Sequence, residues 1–151
     1  MARVTLEPAA DREALVPLLL EADESEPVLR EYLHRGDLYR ILLEDELVGA
    51  VLLIPEGSDG VEIKNIALAE QLRGRGLGRA AIEAVVERAR EAGAARLLVG
   101  TADSSVGTIA FYRRVGFRDA GRIEGFFDGY PEPVVEDGIV AHDMVRFEME
   151  L

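Results

Sequence analysis

Residues 71–80 read QLRGRGLGRA. Glycines at 74, 76 and 78 alternate with other residues, Arg73, Arg75 and Arg79 lie among them, and no acid falls between Gln71 and Arg79. The 151-residue chain carries a formal charge of -12, yet this run is purely basic. Upstream, VEIKNIAL (61–68) reads as a strand. Downstream, LGRAAIEAVVERAREAG (77–93) has apolar residues at 77, 81, 82, 85, 86 and 89, which is helical spacing, and Gly93 closes it. Glycines between a strand and a helix let an anion approach the N–H groups at the helix's positive end, and guanidinium groups strengthen the grip. A plain connection with solvated arginines is the alternative; a basic run in so acidic a chain favours an anion.

Working outward, ARVTLE (2–7) alternates in polarity and predicts a first strand. PAADREALVPLLLEAD (8–23) predicts a helix capped by Asp11, with a break or kink at Pro17. A short second helix is expected over 27–35, ended by Gly36. LYRILLEDELVGAVLLIP (38–55) predicts a hairpin turning at Glu44, Asp45 and Glu46. RLLVGT (96–101) reads as a buried strand, SVGTIAFYRRVG (105–116) as a second amphipathic helix, and FRDAGRI (117–123) as a strand. Residues 124–138 predict a loop rich in aromatics, Pro and Gly, and HDMVRFEMEL (142–151) a closing strand, with His142 in an ordinary edge strand. The order implies a mixed sheet covered by helices, in one domain spanning 1–151.

Composition removes several classes. Hydrophobic residues make up 48% of the chain, which excludes general disorder, and no apolar run is long enough to span a membrane. The N-terminus shows no signal-peptide pattern, so a cytoplasmic protein is expected. With no cysteine there are no disulfides, thiol nucleophiles or thiolate metal sites, and His34 and His142 are too few for a histidine-rich metal centre, so no metal is expected. The acidic balance argues against nucleic acid and favours cationic small molecules.

Two phosphate-binding motifs fail on the glycine turn. A P-loop needs Gly-Lys-Ser/Thr at its end; a dinucleotide fingerprint needs glycine where Arg79 stands and should follow the first strand. QLRGRG instead resembles the Gln/Arg-x-x-Gly-x-Gly signature of the GNAT superfamily of N-acetyltransferases. TIAFYRRVGF (108–117) is similar to that superfamily's second motif, and IAL (66–68) and the element order agree. The resemblance implies an α/β (α+β) fold with a mostly antiparallel sheet of about seven strands, splayed between strands four and five, and about four helices. It implies acetyl-CoA as co-substrate, with the diphosphate held around Leu72, Arg73, Gly74, Arg75, Gly76, Leu77, Gly78 and Arg79. A primary amine, on a small molecule or a peptide, would be the acceptor in a ternary complex. Homodimers are common in the superfamily. A non-catalytic acyl-CoA-binding module, or an interaction protein on the same fold, is the alternative.

Acetyl transfer to an amine has three requirements. An ammonium of pKa near 10.4 costs roughly 4–5 kcal/mol to deprotonate at pH 7, so a base is needed. The resemblance places Glu62 there, directly or through water; an exposed strand residue paired with Lys64 is the alternative, and Glu26, Glu124 and Asp143 are weaker candidates. The thioester oxygen needs donors as it gains charge, and the resemblance implies a bulge in the fourth strand that frees N–H groups around Ile66, Ala67 and Leu68. Tyr112 matches the superfamily's general acid, although a phenol near ~10 protonates a thiolate near ~8.5 only uphill, by about 2 kcal/mol. A core tyrosine beside Phe111 is its other reading. Where many members carry asparagine seven residues before that tyrosine, this chain has Ser105, which can still hydrogen-bond the coenzyme.

The loop EGFFDGYPEPVVEDG (124–138) sets Phe126, Phe127 and Tyr130 among five acids. Such a loop suits a cationic amine through cation–π and charge attraction, and in the superfamily this region walls the acceptor site. Pinning of the loop to the core, or a dimer contact, explains the aromatics equally well.

Overall fold

A computed structural model describes residues 3–69 and 76–151. The chain forms β1 (Val4–Pro8), α1 (Val16–Leu19), α2 (Glu26–Tyr32), β2 (Asp37–Leu43), β3 (Glu46–Glu56) and β4 (Gly60–Leu68). Then follow α3 (Leu77–Glu91), β5 (Arg96–Ala102), α4 (Val106–Arg114), β6 (Arg118–Ile123), the short β7 (Val135–Glu136) and β8 (Ile139–Val140), and β9 (Met144–Glu150). Seven strands make one sheet in the order β1-β2-β3-β4-β5-β9-β6, antiparallel at every junction except β4–β5. The expected α/β fold with four helices is the one observed.

β3 is apolar on both sides because both sides are covered. Val51 and Leu53 face the core built with Leu77, Ala81, Ile82 and Val85 of α3 and Tyr112 of α4. Ala50, Leu52 and Ile54 face a second core with Leu19 of α1 and Leu29 of α2. The β2–β3 turn forms without glycine: Glu44 and Asp45 take φ of 49° and 69°, the left-handed pair that matches strand twist in a two-residue hairpin.

Between β4 and β5 the sheet forks. Parallel pairing runs only from Gly60–Arg96 to Ile63–Val99, whereas β4 stays on β3 as far as Leu68. Asn65 lies opposite Leu52 and Ile63 opposite Leu53, so Lys64 is an extra residue in β4. A bulge of this kind bends and twists its strand, and β4 leaves β5 where the bulge sits.

Some expectations are corrected. The first helix is only a 3-10 turn at Glu13–Leu15 followed by one α-turn, because Pro17 is tolerated only near a helix start. The second begins at Glu26, capped by Ser25, and ends at Tyr32. The closing strand is not at an edge: β9 inserts between β5 and β6, and His142 precedes it, with Nδ1 2.9 Å from Asp128 Oδ1. The region expected as a loop holds a 3-10 turn at Phe126–Gly129 and the β7–β8 hairpin.

Candidate active site

The fork opens into a cleft of about 730 Å³. One end lies against the start of α3. Gly76, Gly78 and Arg79 line it there, together with Phe111 and Tyr112 of α4. Gly76 has φ of 76° with open space around it, while a Cβ on Gly78 would come within 3.2 Å of the Phe111 ring. Both glycines therefore leave the wall flat. Leu77 is 2% exposed and anchors α3 in the core rather than lining the cleft. Arg79 also donates to the Arg114 carbonyl at 3.4 Å. Leu72, Arg73, Gly74 and Arg75 lie outside the described residues.

In the middle, Ile66, Ala67 and Leu68 line the cleft beyond the last β4–β5 pair. Tyr112 faces them. Its ring packs 5.5 Å from Phe111, 5.5 Å from Phe117 and 5.8 Å from Phe147. Burial pushes the phenol well above its ordinary pKa. No described residue hydrogen-bonds its hydroxyl. Ser105 lines the cleft as well, but its hydroxyl donates to the Glu136 carboxylate, tying the β7–β8 hairpin to the start of α4.

The far end is built by the α1–α2 loop and the segment after β6. Asp23 and Glu24 line it from one side, Phe127 and Tyr130 from the other. Phe126 sits behind them, its ring 4.9 Å from Phe127 and 6.1 Å from Tyr130. Asp23 accepts hydrogen bonds from Tyr32 at 2.8 Å and from Tyr130 at 3.3 Å. Asn65 donates from Nδ2 to the Leu19 carbonyl at 3.1 Å and to the Tyr32 hydroxyl at 3.0 Å. Lys64 lies over two aromatic faces, with Nζ 5.1 Å from the Tyr32 centroid and 5.8 Å from that of Phe126.

Glu62 is two residues from Lys64 on β4 but does not line the cleft. Burial raises its pKa; the charges of Lys64 and Arg146, the latter 3.9 Å away, pull it back. Sequence reasoning passed over Asp23, Tyr32 and Asn65, took Lys64 only as a partner for Glu62, and counted Glu136 only among the loop's acids. Only Lys64 had a signal to find it by, for it is the sole lysine in the chain.

This forked, bulged and glycine-fronted cleft has known counterparts. The model of the Acetyltransferase (GNAT) family matches residues 8–117. The chain belongs to the GNAT acetyltransferase family. It is 38% identical over 138 residues to the uncharacterized N-acetyltransferase YvbK of Bacillus subtilis (strain 168), covering 91% of this chain and 89% of that protein. It resembles the crystal structure of a GNAT acetyltransferase from Elizabethkingia anophelis with acetyl-CoA bound, at 36% identity and TM-score 0.90 over 99% of each chain. A Bacillus subtilis acetyltransferase in complex with CoA is 36% identical with TM-score 0.87, over 100% of this chain and 99% of the other. As a GNAT-type N-acetyltransferase, the protein uses acetyl-CoA as co-substrate. The cleft fits it: glycines at the start of α3 and Ile66, Ala67 and Leu68 of β4 line the same space, which suits an anionic head and a thioester tail. Among the described residues, no helix is long and apolar enough to cross a membrane.

Proposed function

We propose that the protein moves the acetyl group directly from acetyl-CoA to a primary amine while both occupy the forked cleft. The fork carries this reading, because one continuous cleft is lined both by Gly76, Gly78 and Arg79 at the start of α3 and by Asp23 and Tyr130 at the far end. Each substrate then reaches the bulge from its own side.

The chain's residues divide the work. Amides from Leu72 to Arg79, with the side chains of Arg73, Arg75 and Arg79, hold the diphosphate. Backbone groups of Ile66, Ala67 and Leu68 direct the thioester carbonyl and stabilise its oxygen as charge develops. The Ser105 hydroxyl, which donates to Glu136, accepts a hydrogen bond from the coenzyme. Glu62 takes the amine's proton through water, since its own carboxylate stands outside the cleft lining. The nitrogen forms a C–N bond as the C–S bond breaks, Tyr112 supplies a proton as the thiolate leaves, and the extra proton on the acylated nitrogen passes back to restore the phenol. Phe127 and Tyr130 wall the acceptor end, with Phe126 behind them. Residues 1–151 act as one domain, supported by a sheet that runs from Val4 to Glu150. A homodimer belongs to the same reading, with β6 as the edge for a second copy, since all six of its residues are exposed.

Thiol release from acetyl-CoA against a panel of primary amines, with a no-acceptor control, tests the proposal. Amine-dependent release and initial-rate lines that intersect are expected. Parallel lines would point to an acetyl-enzyme, and release unaffected by any amine would remove the transferase reading.

A further inference from the structure

The chain's one lysine stands at the bulge. Sixteen of its 17 basic residues are arginine, and only position 64 is lysine. Arginine side chains here commonly meet carboxylates, as Arg40 does Glu7, Arg96 does Asp59 and Glu148, and Arg113 does Asp119. Lys64 has no such partner among the described residues; it has aromatic faces instead. Of the loop aromatics that could receive a cationic acceptor, Phe126 thus already holds a cation belonging to the protein. An ammonium kept in a substrate cleft without a carboxylate in contact, its charge felt by Glu62 two residues away on β4, presents a compact positive charge to an incoming anion.

Beside it is a complementary vacancy in hydrogen bonding. Asn65 is only 5% exposed and lines the cleft, and its Oδ1 is buried with no partner. Its orientation is fixed chemically, because Nδ2 donates to the Leu19 carbonyl, which can only accept. An acceptor left unmet in this way costs stability unless a donor arrives. Tyr32 ties the two groups together: Lys64 lies over its ring, Asn65 donates to its hydroxyl, and that hydroxyl donates to Asp23. One cation, one neutral acceptor and one carboxylate therefore converge on a single tyrosine.

We propose that the acyl acceptor is a free amino acid, its carboxylate held by Lys64 and its amino group donating to Asn65 Oδ1. This deepens the transferase reading above and rests on it. Asp23 balances the charge of the ammonium until it loses its proton. With Glu24 on the same rim, it disfavours a second carboxylate, so the side chain is neutral or cationic.

The test measures acceptor kcat/KM by thiol release for alanine, leucine, lysine and glutamate, each beside its α-carboxamide, with spermidine as an acceptor lacking a carboxylate. The free acids should be preferred over the amides by about tenfold or more, the range of a charge-assisted contact, with glutamate the poorest acid. Lys64→Met should bring that ratio near one, and Lys64→Arg should restore part of it, with acetyl-CoA affinity by calorimetry unchanged in both. Spermidine or the amides turning over as well as the free acids, or a preference that survives Lys64→Met, overturns the proposal and leaves the transferase standing. Acetyl-CoA binding without release to any of these acceptors removes both.

Discussion

The Tyr130 hydroxyl reaches across 107 residues of sequence to within 3.3 Å of Asp23 Oδ2. It joins the segment after β6 to the loop between α1 and α2, and so closes the acceptor end of the cleft. Burial and the Asp23 charge both push the phenol's pKa up, so it stays a donor throughout the working range. Tyr130→Phe keeps the ring and removes the latch. The acceptor KM should rise about fivefold, as for loss of roughly 1 kcal/mol, with the acetyl-CoA KM unchanged. Steady-state kinetics with each substrate varied decides it; an effect on the coenzyme alone contradicts this assignment.

Tyr112→Phe separates chemistry from packing. Its hydroxyl has no partner among the described residues, while its ring is 5% exposed within an aromatic cluster. Removing the oxygen should leave the melting temperature almost unchanged. The turnover number should fall, by at most the ~10²–10⁴ typical of acid–base catalysis. An unaltered kcat would make Tyr112 a packing residue.

Glu62→Gln should change activity and stability in opposite directions. Burial holds this carboxyl above the ordinary glutamate value of about 4.3. A base must be ionised, so the acid limb of kcat/KM lies above that value, and the glutamine variant should lose the limb along with most activity. Because the folded pKa is the higher one, the unfolded chain gives up the proton first. The stability tied to this group is full in acid and is lost as pH rises through the folded value. The glutamine carries no charge to desolvate, so its melting temperature at neutral pH should equal or exceed that of the parent. A clear drop there would mean that contact with Arg146 outweighs the burial.

Gly49→Ala, on β3, probes β4, the strand proposed to direct the thioester. A Cβ at this site would overlap the Ala67 carbonyl and lie 3.0 Å from Leu68 Cδ2. The substitution should cost about 1–3 kcal/mol in urea unfolding. It should also weaken acetyl-CoA binding in calorimetry, because Ala67 and Leu68 line the cleft. Full stability would show that β3 and β4 can separate without strain.

Much of this was legible in the sequence wherever local chemistry sets the outcome. The apolar spacing from Leu77 to Ala89 defined α3 and its buried face, and Glu44–Asp45 marked a turn between two apolar runs. Long-range pairing was not legible. Nothing local to Met144–Glu150 says that it inserts between β5 and β6, since alternation fixes the faces of a strand and not its neighbours. The β7–β8 hairpin escaped because strands of two residues leave no period to detect. At the site, Gly76 and Gly78 stood out as glycines between a strand and a helix and Tyr112 came from the resemblance; all three line the cleft. Asp23, Tyr32 and Asn65 act through a junction of three separate segments, and no stretch of sequence contains it.

Having only one lysine has a further consequence. A protein that houses a reactive thioester is exposed to stray acylation of its own surface amines, and protonated guanidinium groups are poor targets. Here unintended self-labelling has a single side-chain address, at the bulge. Peptide mapping of the purified enzyme, reading an acetyl increment at Lys64 apart from any at the α-amine, would therefore report on how well that ammonium is shielded during turnover.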